Sequence, residues 1–160
     1  MELPFELKTA IEEQLALMPI KGLSELATKL SEDYRNRRAL KRGSYIRTYE
    51  DALAYVAFRL PATFAAAYFA MAQVKERLSN FNPKTILDVG AGPGTAMWAA
   101  TMVWPQLERI TLVERERHMI DIGKKLAQYS NLSSIRQAEW IKADATAEWN
   151  AFPHDVVIAS

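Results

Sequence analysis

The chemistry of this 160-residue chain concentrates in Ile86-Leu87-Asp88-Val89-Gly90-Ala91-Gly92-Pro93-Gly94-Thr95. Glycines let a turn adopt positive φ and let a ligand approach the backbone closely. A helix that starts after such a turn offers unpaired N–H groups and a positive dipole end to an anionic group, and Pro93 suits a place just inside that helix. Gly94 follows Gly92 by two positions, whereas a dinucleotide loop spaces its second and third glycines by three. No Gly-Lys-Ser/Thr follows, which excludes a P-loop. Glu114 stands 20 residues (114 − 94) beyond Gly94, at the end of Ile110–Val113. A carboxylate at that strand tip accepts the ribose hydroxyls of an adenosine-containing cofactor. A third acid, Asp144, follows the strand-like run Glu139–Ala143.

Each feature also has a plain structural reading. A glycine-rich turn can be only a tight connection, and Glu114 can be one more solvated charge in Glu114-Arg115-Glu116-Arg117. Asp144-Ala145-Thr146 also makes a turn or a helix cap. His118 and His154 lack metal-ligand spacing and read as surface residues, and the four tryptophans read as packing residues. The three acids gain weight as an ordered set, one at the end of each of three successive strands.

Those acids need elements to hold them. Leu7, Ile11, Leu15 and Met18 recur at spacings of 4, 4 and 3, the signature of one helical face. Pro19 and Gly22 break that pattern, and Leu23, Leu26 and Leu30 begin a second amphipathic helix. A third covers Tyr49 to Phe58, is interrupted by Pro61, and resumes with Phe64, Ala67, Met71, Val74 and Leu78 as a stripe expected to be buried. After the turn-formers Ser79-Asn80-Phe81-Asn82-Pro83 the period changes. Strands are expected at Thr85–Val89, Ile110–Glu114, Glu139–Ala143 and Asp155–Ala159, with helices to about Val103 and over His118–Tyr129. Strands alternating with helices argue for βαβ units and a parallel sheet.

The expected architecture is therefore α/β. A helical N-terminal module (1–80) precedes the first half of a Rossmann-like sheet (81–160), and the sheet is expected to be truncated because Ser160 ends a strand that should be central. With 20 Lys+Arg against 19 Asp+Glu the global charge is +1, so no overall field marks a nucleic-acid or membrane partner. No stretch approaches the ~20 apolar residues of a membrane span. The acidic N-terminus lacks the pattern of a secretory signal, so a soluble, cytoplasmic protein is expected. Zero cysteines exclude disulfides, thiolate metal sites and cysteine nucleophiles within these residues. Against this balance, Tyr34–Arg47 holds Arg35, Arg37, Arg38, Lys41, Arg42 and Arg47 with no acid, a local charge of +6. Such a run with Tyr34, Tyr45 and Tyr49 beside it can follow a phosphate backbone and stack on unpaired bases, or it can be a solvated linker.

The string Asp88-x-Gly90-x-Gly92-x-Gly94 resembles motif I of class I S-adenosylmethionine-dependent methyltransferases. The resemblance implies Asp88 near the methionine ammonium, Gly90, Ala91, Gly92 and Gly94 against the cofactor, Glu114 on the ribose and Asp144 beside the adenine amino group. Leu30-Ser31-x-x-Tyr34-Arg35, Tyr49 to Tyr55, and Phe58-Arg59-Leu60-Pro61-Ala62-Thr63-Phe64-Ala65-Ala66 ahead of that motif are similar to the small-ribosomal-subunit methyltransferase-like family of the Rsm-twenty-two type, over roughly 24–160. Membership implies a methyltransferase-like fold, S-adenosylmethionine as cofactor, and ribosomal RNA or the small ribosomal subunit as partner, with Arg35, Arg37, Arg38, Lys41 and Arg42 as RNA contacts. Mitochondrial members are associated with cysteines that hold an iron–sulfur cluster; this sequence has none, so no metal is expected within it. No Asp/Asn-Pro-Pro-Tyr signature of amino methylation occurs, and no catalytic residue is assigned. The leading expectation is a methyltransferase or methyltransferase-like protein acting on ribosomal RNA or the small ribosomal subunit. The alternatives are a non-catalytic ribosome-assembly factor that retains the fold, and a small-molecule methyltransferase with a helical lid.

Overall fold

The computed structural model describes residues 1–16, 22, 25, 26, 28, 32, 46–150 and 152–159. Most of the second predicted helix, Leu23 and Leu30 included, and the basic residues Arg35, Arg37, Arg38, Lys41 and Arg42 lie outside them. Among the described residues ten elements follow in order: α1 (Phe5–Ala16), α2 (Tyr49–Phe58), α3 (Leu60–Arg77), β1 (Thr85–Val89), α4 (Thr95–Val103), β2 (Arg109–Glu114), α5 (Arg117–Ala127), α6 (Ser133–Arg136), β3 (Glu139–Lys142) and β4 (Val156–Ala159).

Local chemistry accounts for the helix boundaries. Asp51 Oδ2 accepts from the backbone N–H of Thr48 at 3.1 Å while Thr48 Oγ1 accepts from Asp51 N at 3.1 Å. This reciprocal capping box fixes the start of α2. Pro61 falls in the first turn of α3, where its missing donor is harmless, so the interruption expected there is a 56° bend between two helices. Lys75 Nζ donates to the Val103 carbonyl at 2.6 Å, closing the C-terminal end of α4 from the neighbouring helix.

The four strands are parallel in the order β3-β2-β1-β4. Register aligns Ile86, Ile110 and Val156, and likewise Asp88, Leu112, Trp140 and Ile158, on one face. Ile86, Ile110 and Leu112 are buried there in one core with Leu7, Leu53, Phe64, Met97, Ile122 and Ile135 from the helices. The helical segments and the sheet thus share a single core. Leu87, Thr111, Val113 and Val157 face the other way. The β3–β4 connection reaches that side, where the half-buried His154 places Nε2 3.0 Å from Thr111 Oγ1, so His154 is not the surface residue its sequence setting suggests.

The stripe expected along α3 is buried only in part. Phe64 and Met71 are buried, but Val74 and Leu78 are 41% and 54% exposed. α3 packs along α4, and Val74 borders an open cleft beside β4, so the apolar spacing continues past the part that the core covers. Among the described residues no single helix is long and apolar enough to cross a membrane.

Candidate cofactor site

The order β3-β2-β1-β4 places a topological switch point between β1 and β4, beyond whose carboxyl ends ligands sit in open α/β sheets. The glycine loop occupies that position. Gly90, Gly92 and Gly94 have φ of 78°, 54° and 78°, which L-residues with a Cβ rarely adopt. A Cβ on Gly92 would meet no atom within 4 Å, so it is backbone conformation that calls for glycine there. The helix starts two residues later than expected: it begins at Thr95 with Gly94 as the N-cap of α4, and Pro93 lies before it.

The loop's own amides, as distinct from those of the helix that follows, are bonded within the protein. Gly90 N and Ala91 N donate to the Val113 carbonyl at 2.9 and 3.1 Å, and Gly94 N donates to Ala91 O at 2.9 Å. Gly92 N donates to Glu114 Oε2 at 2.8 Å. These four donors are spent on the protein, so the loop does not present them to an anion. It offers a close-approach surface suited to a ligand without phosphate.

Glu114, at the tip of β2, is 9% exposed. Its Oε1 accepts from Arg115 N and Glu116 N, both at 2.8 Å, so three backbone amides hold the carboxylate. A carboxylate has about four acceptor positions, which leaves one on Oε2. Asp88 lies one strand over, 1% exposed, with neither oxygen hydrogen-bonded. Burial first, and the Glu114 charge second, push its carboxyl up to about 7. Asp144 Oδ1 accepts from Thr146 N at 2.9 Å and Thr146 Oγ1 at 2.7 Å, the turn its local sequence permits. Those bonds, then Arg115, hold its carboxyl below the usual range.

Two hollows meet at Glu114. A cleft of about 970 Å³ runs along β4 from Asp155 to Ala159, walled by Ala66, Ala67 and Ala70 of α3 and reaching Gly90, Ala91 and Gly92. A smaller hollow of about 240 Å³ is bounded by Val113, Ala143 and Asp144. Gly90, Glu114 and Arg115 border both. Of the predicted cofactor residues, Asp88 and Gly94 border neither; Asp88 lies buried behind the loop and Gly94 faces the Trp140 ring. Arg115 is the residue that sequence reasoning passed over. It borders both hollows and pairs with Glu116 at 3.1 Å and Asp144 at 3.5 Å; its place directly after Glu114 was the available signal. Among the described residues no cluster of three His, Cys, Asp or Glu side chains is arranged to hold a metal.

The site fits an adenosyl-type ligand: a glycine turn at the switch point, a fixed carboxylate on the neighbouring strand with an acceptor position open, and a buried carboxyl lacking any partner. Sheet order and loop together define a class I methyltransferase-like fold. The family model described as "Mitochondrial small ribosomal subunit Rsm22" matches residues 49–160, and the chain belongs to that family. It is 37% identical over 75 residues to the human "Ribosome assembly protein METTL17, mitochondrial", an alignment covering 46% of this chain and 16% of that protein. The chain therefore spans a minor part of that relative's length. Similar solved structures include the plantazolicin methyltransferase BpumL in complex with a monoazolic desmethylPZN analog and SAH (18% identity, TM-score 0.48, 92% of this chain and 49% of that one). Another is coclaurine N-methyltransferase bound to N-methylheliamine and SAH (18%, TM-score 0.45, 96% and 52%).

Proposed function

We propose that this protein binds S-adenosylmethionine and acts as a methyltransferase-like factor of the small ribosomal subunit, with ribosomal RNA as the surface it meets. The observation that carries the reading is the pair of hollows joined at Glu114. A ligand with a base, a ribose and an extended tail has three parts, and the small hollow, the Glu114 carboxylate and the glycine-lined end of the cleft offer three matching places. Glu114 would hold the ribose through its open acceptor position, Asp144 would face the base, and Gly90, Ala91 and Gly92 would lie along the tail. Asp88 would answer a cationic group near the loop. When bound, the sulfonium of S-adenosylmethionine supplies an electrophilic methyl group. The chain's own contribution is to orient that group and to exclude water around it.

The RNA part of the proposal rests on the basic run ending at Arg47. Ile46, next to its end, is 5% exposed and borders the cleft, and Arg47 N donates to Asp51 Oδ2 at 2.9 Å. The end of the run is thus fixed beside the cleft, and Arg35, Arg37, Arg38, Lys41 and Arg42 are the RNA contacts of this proposal. A second reading, an assembly factor that binds cofactor and subunit without turnover, is favoured by the human relative, a ribosome assembly protein by name. A cytoplasmic location belongs to the proposal; that relative is mitochondrial by name, so fractionation of expressing cells tests it.

Calorimetric titration with S-adenosylhomocysteine, with NAD as control, tests the pocket. Saturable binding of the first alone is expected, and no binding overturns the reading. Radiolabelled methyl transfer to small-subunit RNA then separates enzyme from assembly factor.

A further inference from the structure

Gly123 sits in the interior of α5, where glycine is the poorest helix former after proline. A Cβ built there would stand 2.5 Å from Trp140 Cη2, 2.9 Å from Trp140 Cζ2 and 2.9 Å from the Pro93 carbonyl oxygen. The same two ring atoms lie 3.3 and 3.4 Å from a Cβ built on Gly94. The outer edge of one indole, carried on β3, is therefore wedged between a helix and the glycine loop. The loop's own carbonyl touches the same spot on the helix. Gly94 needs its glycine for a φ of 78°, and a Cβ there would sit close against Met97 Cε at 3.1 Å and the ring beside it.

We infer that Trp140 and Gly123 are positioning residues that set the height and tilt of the Gly90–Gly94 loop. The loop gains no side-chain contacts of its own from three glycines, and its amides reach β2 on one side only, through Val113 and Glu114. Ala91 seats in the core, and at its Pro93–Gly94 end the loop leans on the Met97 side chain, the indole edge and the bare backbone of α5. Any atom added at 123 moves the ring, the Pro93 peptide, or both, because interiors packed at crystal-like density transmit such displacements. The shift passes to Gly92 and from there to Glu114, whose Oε2 accepts the Gly92 N–H. Gly123 thus governs the ligand site without bordering either hollow.

This inference rests on the proposed cofactor reading, and its test separates the two. Gly123→Ala, Trp140→Leu and, as reference, Leu126→Ala would be made in the full chain and compared at a temperature where circular dichroism shows each folded. Leu126 is fully buried on the same helix and has no part in the loop. The dissociation constant for S-adenosylhomocysteine is expected to rise at least tenfold in Gly123→Ala and Trp140→Leu, and to stay within twofold of wild type in Leu126→Ala, whose melting temperature falls. Affinity within twofold of wild type in both loop variants overturns the inference. Should Gly123→Ala not fold, Trp140→Leu decides. Should the wild type itself not bind, the cofactor reading fails, and hydrogen exchange judges the wedge alone. At least tenfold faster exchange of the Gly92 and Gly94 amides in Trp140→Leu supports it, and any smaller change overturns it.

Discussion

Replacing Asp88 by Asn isolates the most costly group in the structure. The carboxyl is buried, neither oxygen has a hydrogen-bond partner, and desolvation with the Glu114 charge moves its folded pKa from 3.8 to about 7. A difference of about 3 units at ~1.4 kcal/mol each makes the ionised form roughly 4 kcal/mol less favourable in the native state than in the unfolded chain. The direction follows from proton counts. Below pH 3.8 both states hold the proton and no penalty exists. Between there and about 7 the native state keeps a proton that the unfolded state has lost, so stability falls by ~1.4 kcal/mol per pH unit. Above about 7 the loss is complete.

Urea unfolding of wild type and Asp88→Asn at pH 5 and pH 8 reads this directly. Other groups titrate over the same interval, but they do so in both proteins and cancel in the difference. The Asn variant should gain about 3 kcal/mol on wild type between the two pH values, two units of folded-state titration at ~1.4 kcal/mol each. An identical difference at both pH values would refute the reasoning, because it would mean that Asp88 ionises in the native state as easily as in the unfolded chain.

Three further outcomes follow from the same geometry. Glu114→Ala removes the fixed carboxylate at the β2 tip and is expected to weaken S-adenosylhomocysteine binding by about 1–3 kcal/mol; unchanged affinity by calorimetry removes Glu114 from the site. Thr48→Ala breaks the capping box of α2 and should lower unfolding free energy by about 1 kcal/mol, read from the denaturant midpoint. Asp155 accepts from Lys84 N at 2.8 Å and Thr85 N at 3.0 Å, bonds that hold its carboxyl below the ordinary value. Asp155→Asn should therefore be less stable than wild type at neutral pH, with the gap closing as pH falls through the native pKa. A gap that widens on acidification would contradict that placement.

What the sequence disclosed about the site was what local chemistry can encode. Three glycines at alternate positions after a strand-like run require positive φ, and all three have it. The interval to Glu114 is one βα unit, so the acid arrives at the tip of the adjacent strand. Strand bounds match within a residue or so because apolar runs and turn-formers delimit them. What stayed hidden depends on contacts distant in sequence. Nothing in Glu139–Lys142 says that Trp140 reaches across β3 to touch both Gly94 and Gly123, although a glycine inside an otherwise regular helix was a signal that some atom needs the space. That the loop amides are bonded within the protein could not be read locally, because it depends on Val113 O and Glu114 Oε2 standing opposite. Periodicity on α3 could not show which of its turns the core covers.

The two buried acids make sense together rather than singly. Glu114 is satisfied by three amides, which is how a fold holds a carboxylate rigid and still leaves it an acceptor position. Asp88 receives nothing, and the neighbouring charge of Glu114 worsens its position. Stability alone would favour Asn, Leu or Val at that point of β1, so the acid works against the fold it sits in. Strain of this kind persists where a ligand relieves it. A cationic group arriving near the loop would reverse the sign of the local interaction, lowering the Asp88 pKa and releasing its proton. Binding of a cationic ligand should accordingly be tighter at pH 8 than at pH 6 in wild type, and this dependence should vanish in Asp88→Asn while the contacts made by Glu114 persist.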